Sequence, residues 1–140
     1  MLVNMVKSIE TTRERSSYIK SLGESENLSK IVELIDFAKS EDYTNKRLAA
    51  SALGKLAKFK PEIFEAVPIL IRLLDDEHPQ IRQYAIKSLG KIGSERAIPQ
   101  LESCLNDEKE YNRESAMLAL KNIGKIDSIK SQKNEIDKKV

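Results

Sequence analysis

A sequence repeat constrains the fold of this 140-residue chain more than any other feature. The pentapeptide Ile-Lys-Ser-Leu-Gly occurs at 19–23 and again, letter for letter, at 86–90. Looser copies lie between these two and after the second. The copies align on four leucines at spacings of 31, 36 and 31 residues: Leu22, Leu53, Leu89 and Leu120. Periods of this length are typical of proteins built from stacked supersecondary units. The sequence therefore predicts a repeat architecture.

Each copy has the pattern of two consecutive helices. In the second helix, apolar residues recur at spacings of three and four, and several are small, such as Ala49, Ala52 and Ala57. The first helix supplies larger aliphatic residues, as in 67–74. Small residues facing large ones allow helices to pack closely in layers. The predicted helix pairs are 2–10 with 13–23, 27–39 with 43–58, 62–75 with 79–92, and 95–106 with 110–123.

Proline and glycine punctuate these predicted helices. Pro79 suits a first turn, where the amide N–H that proline lacks is not needed. Pro68 falls inside a predicted helix and is expected to bend it. Glycine favours the left-handed conformation that often ends a helix. Four glycines near the ends of second helices are expected to act in this way: Gly23, Gly54, Gly93 and Gly124.

Composition excludes several classes of protein. The chain is 40% hydrophobic and 33% charged, which is typical of a folded protein and not of a disordered one. No apolar run approaches the ~18 residues of a membrane span, so we expect no membrane contact. One cysteine excludes an internal disulfide and a cysteine-rich zinc site. With no recognisable export signal, the predicted location is the cytoplasm.

The repeats resemble a known family. The segments that carry the resemblance are 66–70, 74–76, 79–82, 85–93 and 97–101. They are similar to HEAT-like repeats of the phycobilisome-lyase type. The resemblance implies an all-α fold: a right-handed α-solenoid of four two-helix repeats, with first helices on the convex side and second helices on the concave side. The repeat domain is predicted to cover 1–124, followed by a polar, lysine-rich tail or short capping helix at 125–140.

The resemblance also implies a structural ladder of charged side chains. In such repeats, the aspartate of the interhelix turn and the arginine of the second helix usually interact. Here Asp75 or Asp76 would pair with Arg82, and Asp107 with Arg113. The scaffold is shared by many unrelated proteins, so the resemblance indicates a shape and not an activity.

Few residues are candidates for catalysis or metal binding. His78 is the only histidine, and no partners converge on it in the sequence. It is expected to be a solvated turn residue or a helix-cap residue. Cys104 lies on an apolar stripe, which favours a buried packing role over a nucleophile. HEAT-like iron hydroxylases, such as deoxyhypusine hydroxylase, resemble this scaffold but need several His-Glu dyads, and none occurs in that order. We therefore expect no enzyme activity, no metal and no cofactor.

Charge separates the two kinds of helix. The first-helix segment 61–77 has a net charge of −4, and the following second-helix segment 79–93 has +3. The segment 45–60, which covers most of another second helix, contains no acidic residue. At about 100° per residue, basic side chains fall on one stripe across successive second helices. The predicted contact residues are Lys20, Arg47, Lys55, Lys58, Tyr84, Lys87 and Lys91. The alternative is an ordinary lysine-rich, solvated surface.

Three functions follow from this pattern. The first is an interaction scaffold whose basic concave face binds an acidic protein partner. The second is a nucleic-acid-binding module that contacts backbone phosphates. The third is a subunit similar to those of bilin lyases. Leu118 occupies the stripe position in the last repeat, where the tail or a partner is expected to cover it. Self-association is also expected through an apolar N-terminal helix that contains Leu2, Val3, Met5, Val6 and Ile9.

Overall fold

The structure is a stack of helices without strands in the part of the chain that it describes. This computed structural model describes residues 12–24 and 30–139, and the side chains within them at 13–23 and 30–124. The α-helices of these ranges are α1 (Thr12–Glu24), α2 (Lys30–Ala38), α3 (Tyr43–Lys55), α4 (Val67–Leu73), α5 (Pro79–Ile92), α6 (Ile98–Ser103) and α7 (Glu110–Lys139). Short 3₁₀ turns flank α4 and α6 at Glu62–Ala66, Glu95–Ala97 and Cys104–Asn106. The predicted all-α fold is confirmed.

The helices form two layers. The second helices α1, α3, α5 and α7 pack side by side in chain order. The first helices α2, α4 and α6 each pack against the second helix that follows them. This arrangement confirms the predicted stack of helical hairpins. The predicted helix 2–10, and with it the expected self-association surface, lies outside the described residues.

The core lies between the two layers. The aligned leucines Leu22, Leu53 and Leu89 are buried, as the repeat register predicts. Leu120, in the last second helix, is only partly buried against the same core. The first-helix layer contributes larger side chains, of which Phe37 is fully buried. Burial of this apolar surface is the main stabilising contribution in such a stack.

Of the four glycines predicted to end second helices, one does so, and Gly124 lies inside the long helix α7. Gly93 has a left-handed φ of 75° and ends α5, which confirms the predicted cap there. Gly23 and Gly54 are not left-handed. A Cβ on Gly54 would lie 2.5 Å from Ser88 Oγ, and one on Gly23 would lie 2.7 Å from Ala52 Cβ. These two glycines therefore allow adjacent second helices to approach closely.

Pro68 does not bend a continuous helix. The segment predicted as one helix over 62–75 is divided into the 3₁₀ turn Glu62–Ala66 and α4, which begins at Val67. Pro68 consequently lies in the first turn of α4, where the missing N–H leaves no intrahelical hydrogen bond unmade. The expected kink is therefore absent, because α4 begins one residue before Pro68.

The last helix is longer than predicted. It continues from Glu110 to Lys139 without a break at 124, so the boundary between a repeat domain and a tail remains a prediction. The backbone of the tail segment extends α7 and does not form a separate capping helix. In the described part of the chain, no helix is both long enough and apolar enough to cross a membrane.

Candidate functional site

Buried charged residues link successive repeats at the edge where the second helices begin. Arg82 Nε donates a hydrogen bond to Asp107 Oδ2 at 2.8 Å, and Arg82 Nη2 donates one to Asp107 Oδ1 at 3.2 Å. Lys46 forms the equivalent ion pair with Asp76. Arg82 Nη1 also donates to the main-chain oxygen of Asp76 at 2.9 Å. Each base therefore pairs with the carboxylate of the following repeat.

These pairs differ from the expected ladder by one repeat. Arg82 reaches Asp76 only through a main-chain oxygen, and Arg113 Nη1 likewise donates to the main-chain oxygen of Asp107. Asp75 is exposed. Each carboxylate instead pairs with a basic side chain of the preceding unit. Ladder bases of this kind are engaged in the fold and are not available to a partner.

The ladder lowers the pKa of two buried carboxyl groups. Burial alone raises the pKa of Asp107, but the hydrogen bonds from Arg82 and from the backbone N–H of Lys109 outweigh it. The pKa of Asp107 is consequently below its ordinary value. Asp76 behaves in the same way, because hydrogen bonds from Lys46 and from the His78 backbone outweigh the effect of burial. Both groups are stabilised in the charged form.

This lowering predicts acid sensitivity. A folded-state pKa below that of the unfolded chain contributes stability that is present above the unfolded pKa, about 4 for aspartate, and is lost as pH falls through the folded pKa. We expect the free energy of unfolding to be steady from about pH 5 to 8 and to fall below about pH 4. Urea unfolding at each pH measures it. Asp107→Asn should flatten the fall, and an unchanged slope in this variant would contradict the assignment.

A cleft at the same edge was not foreseen from the sequence. It has a volume of about 550 Å³ and is lined by Tyr43, His78, Pro79, Gln80, Lys109 and Tyr111. The rings of Tyr43 and His78 lie 4.7 Å apart between centroids, and the Tyr43 hydroxyl hydrogen-bonds to the side chain of Gln80. His78 Nδ1 lies 3.0 Å from Asp76 Oδ1. His78 is the N-cap residue of α5, which is one of the two expected roles, and its ring contacts Tyr43 and Asp76.

Cys104 has the packing role that its apolar surroundings predict. It is 7% exposed and belongs to the core cluster. Burial, followed by the nearby carboxylates of Asp107 and Asp75, raises the pKa of the Cys104 thiol to about 11. The thiol is protonated at neutral pH and is a poor nucleophile. Among the described side chains, no group of three or more His, Cys, Asp or Glu residues lies close enough to hold a metal ion.

The predicted contact residues all lie on the second-helix layer or directly after it. Five of the side chains are exposed: Lys20, Lys55, Lys58, Lys87 and Lys91. Arg47 is half-buried, with its guanidinium 5.9 Å from the centre of the Tyr43 ring, and so turns toward the cleft edge. Tyr84 is half-buried and packs against the core. We use the term basic stripe for Lys55, Lys87 and Lys91, the three exposed lysines on the adjacent helices α3 and α5.

Two of these lysines border a small groove between α5 and α7. Its volume is about 170 Å³, and its lining residues are Lys87, Gly90, Lys91, Ser115, Leu118, Ala119 and Asn122. Gly90 and Ala119 are buried residues of this groove, and the two helices are in close contact there. Leu118 is 63% exposed and lines this groove. The structure thus places an apolar residue beside the basic stripe.

Comparison with known sequences identifies enzymes and enzyme subunits. Phycocyanobilin lyase subunit alpha of Microchaete diplosiphon is 29% identical over 124 residues, which cover 82% of this chain and 41% of that protein. Deoxyhypusine hydroxylase of Candida albicans is 41% identical over 56 residues, or 39% of this chain and 18% of that protein. The chain spans about two fifths of the length of the lyase subunit.

Solved structures show the same fold. Human deoxyhypusine hydroxylase has a TM-score of 0.73 at 21% identity, with 88% of this chain and 42% of that chain covered. The phycocyanin lyase complex of CpcE and CpcF from Nostoc sp. PCC7120 has a TM-score of 0.69 at 23% identity, with 83% of this chain and 46% of that chain covered. At these identities, both comparisons show a shared helical solenoid fold.

The prediction that the protein is not an enzyme is wrong, because its named relatives are a lyase subunit and a hydroxylase. A model of HEAT repeats matches residues 31–121, which is more than half of the chain. The repeats, the two-layer stack and this match agree, and the chain belongs to the HEAT-repeat family.

Proposed function

We propose that this protein is an enzyme-associated HEAT-repeat subunit that binds an acidic segment of a partner protein through the basic stripe. One observation carries the proposal: Lys87 and Lys91 are exposed, border a groove between adjacent helices, and have no ion-pair partner among the described side chains. Lys55 is exposed on the neighbouring helix α3. These side chains are available to a ligand.

The distribution of charge supports the same function. Lys46 and Arg82 are engaged by the ladder, so they add little to the field outside the protein. The stripe lysines keep their charge exposed on helices with no acidic residue at 45–60 or 79–93. An uncompensated basic patch of this kind attracts acidic partners and speeds their association. Helices α3 and α5 hold the backbone of these lysines in place, so the backbone loses little conformational entropy on binding.

The relatives support a role in an enzyme complex. Lyase subunit alpha matches this chain over 82% of its length, and the phycocyanin lyase structure is a complex of two proteins. A subunit similar to those of bilin lyases is therefore the second candidate function. In that case the partner is another subunit of the same enzyme. Nucleic acid is the remaining ligand with the required negative charge, and the experiment below separates it from protein.

The triple variant Lys55→Glu, Lys87→Glu, Lys91→Glu tests the proposal. The probe is a fluorescein-labelled nonapeptide of glutamates, measured by fluorescence polarisation. Reversal of three contacting charges is expected to weaken binding by about 2 kcal/mol, or roughly thirtyfold. The matched control reverses three exposed bases outside the stripe: Lys39, Arg72 and Arg96. This control should bind within about twofold of the wild type.

Two results would overturn the proposal. One is equal affinity for the peptide in the triple variant and the wild type, since the stripe would then be solvated surface only. The other is tighter binding to a short DNA duplex than to the peptide, with an affinity that falls steeply with salt, because this is the signature of phosphate contacts. Circular dichroism of each variant checks that the helices are intact.

A further inference from the structure

The groove between α5 and α7 arises from two residue differences between the repeats. The aligned leucines place Ser115 at the position of Tyr84, and Leu118 at the position of Lys87. Tyr84 packs against the core with its large ring. Ser115 is small, and its hydroxyl is turned to the main-chain oxygen of Tyr111 at 2.8 Å. Space that a tyrosine would fill is therefore open beside Leu118.

The size and lining of the groove suit one apolar side chain. Its volume of about 170 Å³ is comparable to an engineered apolar cavity of about 150 Å³ that binds benzene. Gly90 and Ala119 supply an apolar floor, and Leu118 forms one lip. A side chain of the size of leucine or phenylalanine would bury its own apolar surface here and would also cover the apolar surface of the groove.

Charge identifies the kind of molecule that carries this side chain. Lys87 and Lys91 form the lip on the α5 side, about one helical turn apart. A ligand that enters the groove therefore passes two exposed ammonium groups, and acidic residues next to its apolar side chain would meet them. Free hydrophobic peptides lack the acidic residues, and nucleic acid carries flat bases and a thymine methyl group but no branched aliphatic side chain of leucine size.

We infer that the acidic segment bound by the basic stripe carries one large apolar residue that inserts between α5 and α7, against Leu118. The inference rests on the proposed function and adds the anchor that gives it specificity. Ion pairs on an exposed surface contribute little each, whereas one buried leucine contributes more than several of them. The stripe attracts the segment, and the groove sets its register.

Two labelled nonapeptides test the inference with the full chain. Each has three glutamates, a glycine, a central residue, a glycine and three more glutamates, and the central residue is leucine or alanine. Because the sequence reads the same in both directions, the central residue has three glutamates at the same distance on either side, whichever way the peptide chain runs. We expect the leucine peptide to bind roughly tenfold more tightly by fluorescence polarisation. Leu118→Asp should remove this preference.

Met117→Asp is the matched control for the protein. Met117 is 62% exposed on the same helix but does not line the groove. The substitution therefore introduces the same negative charge at a similarly exposed position outside the groove. It should keep the preference for the leucine peptide. Equal binding of both peptides to the wild type, or loss of the preference in both variants, would overturn the inference alone. If neither peptide binds to the wild type, both the inference and the proposed function are overturned.

Discussion

Replacing Arg82 with alanine is expected to lower the free energy of unfolding by about 3 kcal/mol. Arg82 is 9% exposed and forms two hydrogen bonds to the Asp107 carboxylate, whose side chain is 7% exposed. The variant leaves that carboxylate buried without its charged partner. It also leaves the main-chain oxygen of Asp76 without the hydrogen bond from Nη1. Both losses fall at the junction of two repeats.

Urea unfolding at pH 7 measures this effect. Arg72→Ala is the control, because Arg72 is an exposed arginine on α4 and its loss should change stability by less than about 0.5 kcal/mol. In the double variant with Asp107→Ala, the total cost should be smaller than the sum of the single costs, since no unpaired charge remains. Additive costs would show that Arg82 and Asp107 do not depend on one another.

Gly90→Val is expected to destabilise the protein by about 3 kcal/mol. A Cβ on Gly90 would lie 2.8 Å from Ala119 Cβ and 2.9 Å from Ala119 Cα, which is backbone that cannot move aside. Valine adds two further methyl groups at this contact, so α5 and α7 have to separate. The separation also opens the floor of the groove beside Leu118.

Gly124→Val is the matched control for the same substitution. Gly124 is also helical, but a Cβ there would meet no atom within 4 Å. Valine at this position should change stability by less than about 0.5 kcal/mol, since its helix propensity slightly exceeds that of glycine. Thermal unfolding followed by circular dichroism compares the two variants. Similar midpoints for both would mean that the approach of α5 and α7 is not tight.

The ladder and the close-packed glycines have a common consequence for function. Both hold the second helices at fixed spacing and register, Arg82 at one end of α5 and Gly90 near the other. The lysines of the basic stripe project from these same helices. Variants that loosen the stack are therefore expected to weaken binding of the acidic peptide as well, even with every lysine in place.

Several features of the protein followed from the sequence by itself. The four aligned leucines and the spacing of apolar residues predicted the helices and their pairing in layers, because helix formation and amphipathic packing depend on residues only a few positions apart. The resemblance of the repeats to HEAT-like repeats then predicted the kind of stack. The exposure of Lys55, Lys87 and Lys91 follows from the same periodicity. The prediction that the protein is not an enzyme was wrong, because the relatives that match its repeats are a lyase subunit and a hydroxylase.

The tertiary structure alone decided how the repeats meet. Arg82 pairs with Asp107 of the next repeat because the offset between stacked hairpins brings that carboxylate to it, and no local pattern encodes the offset. The same offset places Gly54 against Ser88 and makes it a packing residue instead of a cap. The groove beside Leu118 likewise exists only where α5 and α7 lie together. Sequence periodicity determines each helix, whereas packing between helices determines which side chains become neighbours.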